Sequence, residues 1–417
     1  MKTYVINEME ESRVPFLRGI LTRSLLDAGL SFEEAFELAT VVRDELSNIG
    51  EISTEDLRTR VCGHLERLGN QSVLEHYQAP AMTPARILVE SLSGTSSTFS
   101  RGRHRRYLQA SGLPLDKAEA TTGLIFDQLV AAGVEAITTS QLGYLTYLCL
   151  QQEFSKKTAR KYLLWSDFER SGRPLLLLIG GAVGSGKSSI ATEVAHQLEI
   201  VRTQSTDMLR EVMRMMLPER LLPVLHASSF DAWKSLPVQE EDSRDKDQLI
   251  AAGYKTQVDL LAVPCEAVLQ RAIQESVHII LEGVHAHPDL VARIPADTDA
   301  IIVHVTLAVL RSKELKSRLK GRGVQAPERR AKRYLNKFDS IWSLQSFLLS
   351  ESDRLDTAII TNDEKEHAVH QVINTINYEL ARQFDSTPEQ VFGEVTDIVA
   401  QRGDASDWRQ TVAVLCD

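Results

Sequence analysis

Leu175-Leu-Leu-Leu-Ile179, followed by Gly180-Gly-Ala-Val-Gly-Ser-Gly-Lys187-Ser188-Ser189, is the stretch on which the reading of the fold turns. Five consecutive apolar residues suit a strand buried on both faces, as in the interior of a parallel sheet. Gly181, Gly186, Lys187 and Ser188 then complete the pattern G-x-x-x-x-G-K-S/T. These residue types fit an oxyanion. Glycines let backbone N–H groups curl around it, and Lys187 places a point charge at the β and γ phosphates of a nucleotide. The Ser188 hydroxyl is placed to hold magnesium, and the helix that begins there aims its positive end at the phosphates. Gly181, Ala182, Val183, Gly184, Ser185, Gly186, Lys187, Ser188 and Ser189 are therefore the expected cradle for ATP, in the strand-then-helix context the motif requires.

Beyond the cradle, apolar strands alternate with amphipathic helices, the pattern of a parallel α/β sheet. Strands are expected at Leu175 to Ile179, near Ile200 to Thr203, and at His278 to Leu281, Ala300 to Val305 and Thr357 to Thr361. Just past the second comes Asp207, expected beside the cradle to accept a hydroxyl proton or hold the water shell of a metal. Arg210 and Arg214, four apart, share a helix face and can clamp an anion. The third strand ends in Glu282, an acid placed to organise Mg2+ together with Ser188 or to orient the nucleophile. His285 and His287 have metal-ligand spacing, but the sequence shows no further ligand cluster, which argues against zinc. His285 reads as an imidazole lining the acceptor pocket, and His287 as a loop residue. His226, Ser228 and Ser229, with Arg210 and His285, supply cationic and hydroxyl donors suited to a small phosphorylated acid, with little aromatic surface for stacking a base.

The basic segment from Arg311 to Tyr334 is broken by Gly321 and Gly323 and contains Arg318 and Arg322. It reads as a hinged lid whose arginines offset charge on the moving phosphoryl group. A solvated helical face or an RNA-contacting strip is the other reading. Arg318 and Arg322 are the lid arginines expected at the reaction centre.

Residues 1 to about 165 read as helix-rich and contain a repeat. Arg18, Gly19, Gly29, Ala35, Asp44, Leu46 and Gly50 fall on Arg101, Gly102, Gly112, Ala118, Asp127, Leu129 and Gly133 at constant offset. Ser31-Phe-Glu-Glu34 and Ser53-Thr-Glu-Asp56 are helix starts with acidic first turns. Between the copies, Ser91 to Thr98 is a small-polar linker leading into Arg101-Gly-Arg-His-Arg-Arg106, which is either a phosphate site or a solvated helix start. The expected organisation is a helical module over 1–90, a repeat-related module over 98–168, an α/β domain over 172–376, and a helical tail over 377–417 that packs on that domain or on a partner.

Composition narrows the class. The 417 residues carry 47 Lys and Arg against 57 Asp and Glu, a net charge of −10, so no global field draws nucleic acid or anionic lipid. The chain shows no secretory signal and no apolar run long enough for a bilayer, making cytoplasm the expected compartment. Cys62, Cys149, Cys265 and Cys416 lie far apart and read as reduced, buried thiols. The composition is compatible with a homo-oligomer.

Together these stretches resemble the 2-phosphoglycerate kinase family of P-loop kinases. The resemblance rests on Val14-Pro-Phe-Leu-Arg-Gly-Ile-Leu21, Ile179 to Ser188, Ser205 to Arg214, Leu222 to Trp233, Leu281-Glu-Gly-Val-His285, and Arg333 to Asp339 with Gln345. It implies an α/β kinase domain, a parallel sheet flanked by helices with a lid, preceded by a mainly α-helical tandem module similar to an ATP-cone. It also implies transfer of the ATP γ-phosphoryl group, with Mg2+, to the 3-hydroxyl of 2-phosphoglycerate, giving 2,3-bisphosphoglycerate. Glu8-Met-Glu-Glu11 stands where an ATP-cone has a basic pair. A polyol or inositol phosphate kinase on the same scaffold, or a nucleotide-gated regulator binding RNA or protein, are the alternatives.

Overall fold

The computed structural model describes residues 3–7, 12–69, 73–74, 77, 87–91, 94–237, 245–321, 328–402 and 407–416. Arg322, Gly323 and Glu8-Met-Glu-Glu11 lie outside them. The chain forms two compact units, Met1–Arg86 and Ile87–Asp417.

In the first unit, strands β1 (Tyr4–Asn7), β2 (Ser12–Pro15) and β3 (Glu51–Ser53) form a sheet in the order β2-β1-β3, antiparallel then parallel. Helices Arg18–Asp27, Phe32–Glu45 and Thr54–Leu68 bury Leu25, Ala35, Leu38, Val42, Val61 and Leu65 in one core. Ser31 closes a capping box with Glu34, and Ser53 accepts from the Asp56 amide, so in both helices a serine followed by acids satisfies the third amide of the first turn and marks the start. The second unit opens with the same plan. Strands β4 (Leu88–Glu90), β5 (Ser96–Thr98) and β6 (Ala136–Thr138) form a sheet in the order β5-β4-β6 with the same antiparallel and parallel pairings. The six short strands are an addition to the helical pattern seen in sequence.

The central sheet has five parallel strands: β7 (Leu175–Gly181), β8 (Arg202–Ser205), β9 (Ile279–Glu282), β10 (Ile301–Ala308) and β11 (Ala358–Thr361), in the order β11-β10-β7-β9-β8. Each lies at the expected place, with ends shifted by up to a few residues. Every residue of β7 is buried because β9 and β10 pair on its two edges and helices cover its two faces. Leu175, Leu177 and Ile179 face a core with Ile190, Val194, Val372 and Ile376, whereas Leu176 and Leu178 face Ala262, Cys265 and Leu269. Each such side chain contributes roughly 1.5–3 kcal/mol by leaving water. The chain leaves β7 at the point where strand order switches sides, the crevice where open α/β sheets bind ligands.

The carboxyl-terminal helices Pro388–Phe392, Glu394–Arg402 and Trp408–Cys416 pack on the second repeat. Val395, Val399, Trp408, Val412 and Leu415 share a core with Ile125, Leu129, Leu145 and Leu148. The tail was expected on the α/β domain or a partner. It divides: Leu380 and Phe384 pack into the α/β core, as expected, whereas the helices from Pro388 onward pack on the second repeat. No helix among the described residues is long and apolar enough to cross a membrane.

Candidate active site

The loop after β7 is set by glycines at positive φ: Gly181 at 138°, Gly184 at 90° and Gly186 at 91°. A Cβ on Gly181 would lie 2.4 Å from the Leu307 carbonyl oxygen, and one on Gly186 would lie 2.2 Å from Asn362 Nδ2, so neither site admits a side chain. Gly186 is the N-cap of helix Lys187–Gln197 and provides no side-chain cap, which leaves that end of the helix dipole for an anion. Lys187 is 8% exposed, and its Nζ donates to the Ala182 carbonyl at 2.9 Å, so the ammonium lies within the curl of the loop. The Ser185 hydroxyl is buried and has no hydrogen-bond partner among the described residues.

Glu282 ends β9, in register with Ile179 of β7 on one side and Ser205 of β8 on the other. That register brings its carboxylate to the start of the cradle helix, where the Ser188 hydroxyl donates to it at 3.0 Å. Adjacent corners of an octahedron with metal–oxygen bonds of about 2.0–2.1 Å lie roughly 2.9 Å apart, so this pair of hard oxygens fits magnesium. The two residues expected to hold the metal, 94 positions apart, are thus in contact.

Asp207 opens helix Thr206–Met216, capped by Ser205. Sequence order suggested it would sit directly beside the cradle. However, β9 lies between β8 and β7, which sets Asp207 one strand farther out, exposed and with no side-chain hydrogen bond among the described residues. On the same helix, the Arg210 guanidinium donates to the Ala227 carbonyl at 3.2 Å while its Nε is buried without a partner among the described residues. Arg214 pairs with Glu211 at 2.7 Å.

Four further acceptor-site candidates meet the same elements. His226 Nε2 donates to the Leu217 carbonyl at 2.9 Å, so that nitrogen closes its own loop rather than facing a ligand. The Ser228 hydroxyl accepts from Arg333 at 2.9 Å, a contact from the basic segment to the 222–233 stretch, and Ser229 is buried. His285 is 1% exposed and stacks on Tyr254, with ring centroids 5.9 Å apart. Burial, with Arg210 and Lys187 nearby, pushes its pKa down to about 3, so the imidazole is neutral.

Its tautomer follows from Gln257, a residue sequence reasoning passed over. The Gln257 amide nitrogen donates to Val224 at 2.5 Å and to Ala227 at 3.0 Å, which uses both its hydrogens. Its oxygen, 3.0 Å from His285 Nε2, must then accept, leaving the Nδ1 lone pair of His285 as an acceptor.

The basic segment begins as helix Ser312–Gly321, and its Leu315 and Leu319 lie over Gly184, where a Cβ would meet them at 2.8 and 3.1 Å. Arg318 is thereby delivered to the cradle: a Cβ on Gly186 would be 3.8 Å from its Nη1. Arg318 pairs with Glu314 and donates to the Asn362 carbonyl. Asn362, 5% exposed and just past β11, in turn donates from Nδ2 to the Ser185 carbonyl at 2.8 Å. It is the second residue that sequence reasoning missed, and it links lid helix to phosphate loop.

His287 has its own cluster. Asp289 and Glu351 come together with it, each offering an atom within 4.8 Å of the others, ligands the sequence alone did not reveal. However, Arg354 holds both Glu351 oxygens, at 3.1 and 2.8 Å, and Lys255 lies 3.4 Å away, so the positive charge is already supplied by side chains. His285 points elsewhere, to Gln257.

No family model matches the chain. Among solved structures, a putative kinase from Chloroflexus aurantiacus aligns with a TM-score of 0.26 at 13% identity, over 49% of this chain and 97% of that one, which adds nothing to the fold derived above. Curated relatives are closer. The 2-phosphoglycerate kinase of Pyrococcus furiosus is 34% identical over 278 residues, covering 67% of this chain and 89% of that protein. Those of Pyrococcus horikoshii and Methanopyrus kandleri are 32% and 34% identical, covering 69% and 68% of this chain and 93% and 85% of their own lengths. On these relatives, and with the loop after β7, the Ser188–Glu282 pair and Arg318 gathered at the carboxyl ends of the central strands, the chain belongs to the 2-phosphoglycerate kinase family and is a phosphotransferase.

Proposed function

We propose that the chain transfers the γ-phosphoryl group of ATP to the 3-hydroxyl of 2-phosphoglycerate, giving 2,3-bisphosphoglycerate and ADP. The observation that carries the nucleotide half is the contact of Ser188 with Glu282, 3.0 Å, at the uncapped start of the cradle helix. The names of the relatives supply the acceptor.

In this reading the bond from the β–γ bridging oxygen to Pγ breaks as the acceptor oxygen bonds to Pγ, and the hydroxyl proton leaves to solvent or to Asp207. Loop amides and Lys187 hold the β and γ oxygens. Arg318 offsets the charge that gathers on the transferring group, and Arg322 of the same segment is its companion. Mg2+, held by Ser188 and Glu282, neutralises phosphate charge when bound. Arg210 and Arg214, with Ser228 and Ser229, position the phosphate and carboxylate of the acceptor, while neutral His285 offers an acceptor for a hydroxyl and adds no charge. His226 supports the loop that carries the two serines.

The modules expected over 1–90 and 98–168 are read as ATP-cone-like on their shared order of elements and sheet pairing, the second taking in β4 and β5 from Leu88 onward. The test is direct: incubate the chain with ATP, Mg2+ and 2-phosphoglycerate, and separately with polyol and inositol phosphates, following ADP release. ADP should appear with 2-phosphoglycerate. Release with an inositol phosphate alone would transfer the reading to the alternative acceptor.

A further inference from the structure

Helix Glu328–Leu335, the second helix of the basic segment, packs on the first, Ser312–Gly321, and touches the stretch 227–231 at three points. Arg333 donates from Nη2 to the Ser228 hydroxyl at 2.9 Å. The Tyr334 ring meets Phe230 edge-on, with centroids 6.1 Å apart. Lys337, in the turn that closes the helix, donates to Asp231 Oδ1 at 3.2 Å. Positions 333, 334 and 337 share one helix face, so all three side chains reach one short piece of chain. From its other side that piece is held by acceptor-site residues. The Ala227 carbonyl accepts from Arg210 at 3.2 Å and from Gln257 at 3.0 Å, the amide that fixes His285. Ser228 thus joins the network of Arg210, Gln257 and His285 to the lid.

Charge around this stretch is unbalanced. Asp231 takes both Lys234 and Lys337, at 2.7 and 3.2 Å. Glu211 pairs with Arg214 at 2.7 Å and lies 3.9 Å from Arg210. Asp207 is exposed at the start of the helix that carries those arginines. Arg333 pairs with no carboxylate among the described residues and bonds only the neutral Ser228 hydroxyl there. Arg210, Arg214, Lys234, Lys337 and Arg333 therefore stand against Asp207, Glu211 and Asp231, which leaves a positive surplus for an anion to fill. The hydrogen bond also sets the donors. Because Ser228 Oγ accepts from the guanidinium, its own hydrogen is left to donate, and the pair offers N–H and O–H donors side by side. Such a set suits the oxygens of a phosphate.

We infer that Arg333 and Ser228 form the subsite for the acceptor's phosphate, and that the lid helix carrying Arg333 is held down by that phosphate. Arg210, whose Nε is buried without a partner among the described residues, is left for the acceptor's carboxylate. The acceptor is then gripped from two sides, by helix Thr206–Met216 and by the lid. Helix Glu328–Leu335 packs on the helix that brings Arg318 to the cradle, so seating the phosphate also seats Arg318. An acceptor without the phosphate fills only the Arg210 half. The inference rests on the reading of the acceptor as a small phosphorylated acid and adds to it the residue that reads the phosphate.

Steady-state kinetics of the intact chain test it, with 2-phosphoglycerate varied at saturating ATP and with glycerate, which lacks the phosphate, as inhibitor. Arg333→Ala should raise KM for 2-phosphoglycerate by about 10- to 100-fold, the loss of one charged hydrogen bond. Inhibition by glycerate and affinity for a non-hydrolysable ATP analogue should stay within about twofold. Arg333→Lys should recover part of the loss, which a role in packing alone would not do. Thermal melts supply a readout that needs no turnover: 2-phosphoglycerate should raise the Tm of the native chain and not that of Arg333→Ala. An unchanged KM and an unchanged Tm response in folded Arg333→Ala would overturn the assignment, as would an equal weakening of glycerate and 2-phosphoglycerate. ADP release with an inositol phosphate alone would instead overturn the reading of the acceptor. The subsite then stands if KM for that phosphate rises tenfold in Arg333→Ala, and falls if it does not.

Discussion

Replacing Asn362 by Asp probes how the cradle is held. The side chain is nearly isosteric, so the close fit against Gly186, 2.2 Å from a Cβ on that glycine to Nδ2, is preserved. What disappears is the donor to the Ser185 carbonyl, a 2.8 Å bond in a residue only 5% exposed. Leaving a buried carbonyl unpaired costs about 1–3 kcal/mol, and here a carboxylate oxygen would face it as well. The new negative charge also sits beside the loop that must receive phosphates. At 1.36 kcal/mol per factor of ten, kcat/KM for ATP should fall roughly 10- to 100-fold. Because the brace acts on the loop and not on the acceptor, KM for ATP should rise while KM for the acceptor stays within twofold. Gly186→Ala should act through the same contact, since its Cβ displaces Asn362. The double variant should then lose less than the sum of the two. Steady-state kinetics with ATP varied, alongside thermal melts, provides the check. A folded Asn362→Asp protein with native kcat/KM for ATP would refute the idea that Asn362 positions the loop.

Arg318→Ala should lower kcat by about 10³-fold or more, the arginine-finger range, with Arg318→Lys recovering only part, because a point charge cannot bridge Glu314 and Asn362 together; a loss under tenfold in single-turnover assays would remove Arg318 from the reaction centre. Gln257→Leu strips partners from His285, Val224 and Ala227, so it should lower stability by about 3 kcal/mol and raise KM for the acceptor but not for ATP; a reversed split of KM values would contradict this. His104, His285 and His304 have pKa values pushed down to about 4, 3 and 4 by burial. The unfolded chain, titrating near 6.5, therefore binds more protons than the folded one at mildly acidic pH, and stability should fall as pH drops from about 6.5 towards 4. His304→Gln, which keeps a donor for the Ala286 carbonyl, should flatten the slope of stability against pH by about one proton; an unchanged slope would exclude His304 as a source.

The sheet was legible because burial on both faces leaves no polar position in β7, and because β9 is an apolar run ended by Glu282 and β10 and β11 are largely apolar; β8, Arg202-Thr-Gln-Ser205, carries no such signal of its own. The loop after β7 was legible because its glycines are local, within nine residues of sequence, and take the positive φ such a turn requires. The strands of the first 140 residues were not. They are three or four residues long, and β5 is exposed along its whole length, so alternation had no room to appear. Gln257 and Asn362 were hidden for another reason. Each acts across the fold, Gln257 on His285 and Asn362 on Ser185, 28 and 177 positions away, and nothing about an isolated Gln or Asn announces such a partner. Asp207 shows the converse. Its place after a strand was read correctly, but its distance from the cradle depends on strand order, and the insertion of β9 between β7 and β8 is a tertiary choice.

The measurement that bears most directly on the central claim is phosphorus NMR of the purified chain with Mg2+, ATP and 2-phosphoglycerate, run in parallel with Lys187→Ala. The native chain should convert ATP to ADP while a doubly phosphorylated glycerate grows in at equal rate, and the folded Lys187→Ala protein should give neither. Equal ATP consumption with and without the acceptor, or an undiminished rate in Lys187→Ala, would contradict the account.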